Sequence, residues 1–126
     1  MPMKTKTYAL ALGATLTTAL AFDMAAPDAA EARCPGERST RSVEGSVPTT
    51  ITFRAVGEND ETQFKIYWLD YKGRRKLYRH IFAGDTYRQQ TFMTHPWLVT
   101  APVPGGGEDC IRIFHPRRGG STHVLR

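Results

Sequence analysis

Past residue 32 the chain has no amphipathic run at helical spacing, no internal repeat and no apolar stretch of bilayer length. Cysteine is scarce, with two in 126 residues and no C-x-x-C pair. The four histidines, His80, His95, His115 and His123, stand at no H-x-x-x-H spacing, so metal ligation is not indicated and no cofactor is expected. There is no G-x-S-x-G elbow and no tight pair of carboxylates. Asp70 and His95 could be paired as acid and base, but so short a chain leaves little depth for a water-excluded site. A non-enzymatic protein is the expectation.

What is present begins with a leader. Lys4 and Lys6 make a positive start, Tyr8 to Phe22 is apolar, and Ala30-Glu31-Ala32 gives a small-x-small cleavage pattern. Residues 1–32 therefore read as a signal peptide cut before Arg33. A membrane anchor fits less well, because the stretch falls short of the ~20 apolar residues that a spanning helix needs and carries Thr15, Thr17 and Thr18. A lipoprotein signal is disfavoured by Arg33 directly before Cys34. The expected product is a secreted or periplasmic chain, 33–126, without a membrane span and with 15 basic against 9 acidic side chains. Cys34 and Cys110 would pair in that compartment. Closing so long a loop would stabilise the domain by roughly 4 kcal/mol in the chain-entropy account.

From Thr49 onward the pattern has period two, the signature of strands. Residues 33–48 read as an extended lead-in tied down by Cys34. Strands are expected over 50–55, 62–70, 76–82, 86–93, 97–100 and 109–115, with turns at 57–61, at Gly73 and at 83–85. Residues 116–126 read as a flexible tail. Six short strands joined by turn signals predict an all-β fold, a small antiparallel β-sandwich over 49–115 with one disulfide.

The expected mature chain contains the aromatic residues Tyr67, Trp68, Tyr71, Tyr78, Tyr87, Phe92 and Trp97. Each could serve simply as core or as a cross-strand neighbour. As a set, Trp68, Tyr78 and Trp97 could wall an apolar slot, with Thr91 and His95 supplying hydrogen bonds at its base. Such a slot suits a small ring carrying one hydroxyl, and an analogue lacking that hydroxyl would leave buried polar groups unpaired.

The run Tyr67-Trp68-Leu69-Asp70-Tyr71-Lys72-Gly73, then Tyr78, then Ala83-Gly84-Asp85-Thr86, then Thr94-His95-Pro96-Trp97-Leu98-Val99 resembles the β domain of the von Hippel–Lindau tumour suppressor family. The two can be laid together without a gap from Trp68 to Leu98, and the likeness extends over about residues 49–115. The resemblance implies a β-sandwich that binds an extended peptide containing 4-hydroxyproline. It implies Trp97 as the floor under the ring, Trp68 and Tyr78 as walls, and Thr91 and His95 as partners of the ring hydroxyl. Gln90 and Phe92 would stand where the family has a histidine and a tyrosine beside the ligand, and Thr91 where it has a serine. The family's helical domain has no counterpart here, so neither elongin nor a ubiquitin ligase is an expected partner.

The expected role is thus an exported module that captures an extended peptide or protein ligand containing proline or hydroxyproline. The alternative is adhesion of a basic surface to an acidic polymer, a cell-wall polyanion or, less expected, a nucleic acid. Lys72, Arg74, Arg75, Lys76 and Arg79 cluster around one hairpin, and Arg117-Arg118 follow the last expected strand.

Overall fold

Ile51, Phe53 and Ala55 alternate with polar neighbours along β1 (Pro48–Ala55), and all three are buried. Such period-two burial gives a strand one wet and one dry face. The structure, a computed structural model, describes residues 32–126 and, before them, only 3, 13 and 14. The expected signal peptide therefore lies, but for these positions and Ala32, outside the described residues. Six more strands follow β1: β2 (Gln63–Leu69), β3 (Arg75–Phe82), β4 (Thr86–Phe92), β5 (Trp97–Pro102), β6 (Glu108–Phe114) and β7 (Ser121–Leu125).

The strands form two sheets, one ordered β4-β1-β7 and the other β3-β2-β5-β6. Every pairing is antiparallel except β1 with β7. The fold is an all-β sandwich. Ile51 and Phe53 of one sheet meet Phe64, Ile66, Trp97, Val99 and Phe114 of the other in the main core. Phe53 and Phe114 pack edge to face at 5.4 Å, a geometry that the ring quadrupole favours. No helix among the described residues is long and apolar enough to cross a membrane.

β2 is buried on both faces. Phe64 and Ile66 point into the main core, whereas Tyr67 and Leu69 join Cys34 and Leu98 in a second, smaller cluster. That second face is covered by the lead-in, which acts as a strap. Cys34 is bonded to Cys110 of β6, with 5.1 Å between Cα atoms. A 3-10 turn (Glu37–Ser39) then brings Glu37 to Arg75, whose Nε donates to Oε1 at 2.6 Å and Nη2 to Oε2 at 2.8 Å. Further on, Ser42 N–H donates to the Asp70 carbonyl, and Thr94 Oγ1 donates to the Val43 carbonyl. Gly73 sits at φ 76°, and a Cβ there would lie 3.0 Å from the Thr40 carbonyl. Both the left-handed turn and the close passage of the strap therefore call for glycine at this hairpin.

Under the strap lies a buried carboxylate. Glu108 accepts hydrogen bonds from the Tyr67 hydroxyl, from Thr100 Oγ1 at 2.7 Å and from Lys65 Nζ. Burial alone would raise its pKa, but the bonds from Lys65, Thr100 and Tyr67 outweigh that and hold it below the usual carboxylate value.

Residues 116–126 are not a flexible tail. Ser121–Leu125 adds β7 beside β1, and Leu125 is 1% exposed in the main core. His123 packs beside the Phe53–Phe114 pair, with ring centroids 6.0 and 4.5 Å away. Five residues are too short a run to stand out beside Arg117, Arg118 and two glycines. Their burial is decided by the partner strand.

Candidate functional site

Edge strand β3 of the larger sheet and edge strand β4 of the smaller one meet where Arg79 lies over the Tyr87 ring. The residues expected to form a slot meet there. Tyr78 of β3 stands edge-on to Trp97 of β5 at 4.9 Å and to Trp68 of β2 at 6.2 Å. His95, from the turn between β4 and β5, lies 5.4 Å from Trp68. Trp97 is 2% exposed and forms the floor, whereas Tyr78 is 45% exposed at the mouth.

A β-bulge aims Tyr78. Ile66 pairs with Arg79, and the next residue, Tyr67, pairs with Leu77, so Tyr78 is the extra residue on β3. Bulges bend an edge strand and redirect the side chain at the irregularity.

The polar side chains beside these rings have a defined hydrogen-bond order. Thr91 Oγ1 accepts the Trp97 indole N–H at 3.0 Å. This is its one hydrogen bond among the described residues, so the Thr91 proton remains to be donated. His95 Nε2 lies 3.3 Å from the Tyr71 hydroxyl, and the ring tautomer decides which of them donates. Burial lowers the His95 pKa against the opposing pull of Glu44, so the imidazole is neutral at pH 7. Thr91 and His95 thus present a donor and a neutral imidazole beside three aromatic rings.

Trp68 is held from behind by the strap. Its indole N–H donates to Ser42 Oγ at 2.7 Å, and Ser42 Oγ donates to the Leu69 carbonyl at 2.5 Å. Sequence reasoning missed Ser42, because a serine in an irregular lead-in carries no signal that it will reach a tryptophan 26 residues away. It also left Tyr71 out of the site, although Tyr71 packs edge-on to both Trp68 and His95 at 5.5 Å.

The other expected ligand residues divide. The Phe92 ring lies 5.2 Å from His95 and is 38% exposed at the rim. Gln90 is exposed and paired with Thr50, on the face of β4 opposite to Thr91. It does not join the aromatic set. Instead, Gln90, Thr91 and Phe92 line a shallow open groove of about 600 Å³ beside Pro48 and Thr50.

The basic cluster also divides. Arg75 is taken up by Glu37, and its side chain is only 11% exposed. Arg74 holds Asp70, whose carboxylate also accepts the backbone N–H groups of Lys72 and Arg74. The Arg74 N–H bond leads in holding Asp70 below the usual carboxylate pKa. Lys72 is exposed at the hairpin. Lys76 and Arg79 instead lie by aromatic rings, Lys76 Nζ 5.8 Å from the Trp68 centroid and the Arg79 guanidinium 4.9 Å from that of Tyr87. The five cations therefore do not form one patch, because side chains of β3 leave its two faces. No group of three or more His, Cys, Asp or Glu side chains that could hold a metal ion occurs among the described residues. No protein-family model matches the chain, and no curated protein matches it.

Proposed function

We propose that the domain is an exported, non-enzymatic module that captures an extended peptide by seating a proline or 4-hydroxyproline ring among Trp68, Tyr78 and Trp97. The observation that carries this reading is the hydrogen-bond order at Thr91. Its oxygen is occupied by the Trp97 N–H, so its proton is free to meet an acceptor placed over the Trp97 ring. A ring hydroxyl there would accept from Thr91, with His95 as its second partner. The likeness of the Trp68–Leu98 segment to the von Hippel–Lindau β domain motivates the same assignment. An extended ligand would find backbone that no strand among the described residues pairs along the outer edge of β4, where the open groove beside Gln90 and Phe92 lies. Asp70, the acid of the acid–base pair considered above, is tied into the hairpin by three hydrogen bonds, which favours binding over catalysis.

The division of the basic cluster weakens the rival reading, adhesion to an acidic polymer. Calorimetric titration of the oxidised protein with paired peptides tests the proposal, one peptide carrying 4-hydroxyproline and the other proline. Tighter binding of the hydroxylated peptide, lost in Trp97→Ala and reduced in His95→Ala, is the expected result. Equal binding by the parent and both variants would refute the slot as the binding site.

A further inference from the structure

We infer, on the basis of the peptide reading above, that the slot takes an acidic peptide, with Arg79 reading a ligand carboxylate beside the anchored ring and Lys76 adding charge from the same face of β3. The bulge in β3 makes this arrangement. In a regular strand residues 76 and 79 would leave opposite faces, since their separation is odd. Here Lys76 pairs with Trp68 and Arg79 with Ile66, and Trp68 and Ile66 share the face of β2 that looks toward the other sheet. The extra residue Tyr78 therefore brings both cations to the side of the slot.

Neither cation has a carboxylate partner among the described residues, in contrast to Lys65, Arg74 and Arg75. Both are exposed at the mouth. The Arg79 guanidinium lies 4.9 Å from the Tyr87 ring centroid and also acts on the Tyr87 hydroxyl, so the contact holds it in place while its remaining N–H groups can meet a carboxylate. The charges along the slot are also unequal. Glu44 acts on His95 at one end, which disfavours a ligand acid there. At the other end Asp85 already accepts the Phe82 N–H in the β3–β4 turn, and Arg79 stands between that turn and the ring floor. The acid should therefore lie on the Tyr87 side of the anchor.

The test uses the oxidised protein and hydroxyproline-centred peptides that carry Asp two residues before or two residues after the ring, with Asn and Lys versions of each. One Asp peptide should bind about 2- to 5-fold more tightly than its Asn version at low salt, the size expected of one ion pair at an exposed rim. That advantage should shrink as salt rises and vanish in Arg79→Gln, while affinity for the Asn peptide is retained. In Arg79→Glu the Lys peptide should become the preferred one, a reversal that simple damage to the fold would not produce. Equal affinity for Asp and Asn peptides would overturn the acidic preference and leave peptide capture standing. If none of the peptides bound, both readings would fall.

Discussion

Replacing Thr91 with Val isolates one bond at the centre of the site. Val and Thr are close in shape and both are β-branched, so strand preference changes little. What disappears is the acceptor of the Trp97 N–H, at a place where Thr91 is 7% and Trp97 2% exposed. A buried donor stripped of its partner costs about 1–3 kcal/mol. For a domain of this size each kcal/mol moves Tm by roughly 4–8 °C, so a loss of about 2 kcal/mol should lower Tm by about 8–16 °C. Urea unfolding followed by tryptophan fluorescence reads the change, with two tryptophans in the chain as reporters. The slope m should stay constant, since the surface exposed on unfolding is the same. The control is a double-mutant cycle. In a Trp97→Phe background there is no N–H to orphan, and Thr91→Val should cost almost nothing, with Trp68 still reporting. Equal losses in the two backgrounds, or no loss in either, would refute the claim that Thr91 is engaged by Trp97.

Three further outcomes follow from the packing. Cys34→Ser/Cys110→Ser removes a cross-link spanning 76 residues and should cost about 4–5 kcal/mol by loop entropy, seen as a lower Tm of the unbridged protein; a loss under about 1 kcal/mol would refute that account. Leu125→Ala should cost about 2–5 kcal/mol in urea unfolding, because β7 is part of the core; a neutral effect would contradict its burial. Stability should fall in two stages on acidification. His95 and His123 have pKa values lowered by burial, so their contribution is present above pH 6.5 and is lost as pH falls through the folded values. Glu37 and Glu108, held low by Arg75 and by Lys65 against the effect of burial, lose theirs below pH 4.5. Melting curves across pH should show both stages, and Glu108→Gln should flatten only the lower one.

The strands were readable because their burial is local and periodic. Ile51, Phe53 and Ala55 alternate in β1, and the same rule marks Tyr87, Gln89 and Thr91 as one side of β4. The aromatic residues of the slot were readable as a set, and the structure brings Trp68, Tyr78, Thr91, His95 and Trp97 together. The basic cluster misled, since nearness along the chain ignores which face of a strand each side chain leaves. Arg75 turned to Glu37 of the strap, whereas Lys76 turned to Trp68.

By itself the sequence determined the all-β class and the pair of cysteines to be joined, because alternation and composition act within a few residues. Tertiary structure decided the rest. β7 exists because β1 offers it a free edge and the core a place for Leu125. Ser42 reaches Trp68 because the disulfide and the Glu37–Arg75 pair draw the strap across the sheet. Lys76 and Arg79 share a side because one residue bulges out of register. Each of these depends on contacts between distant parts of the chain, and no local pattern carries them.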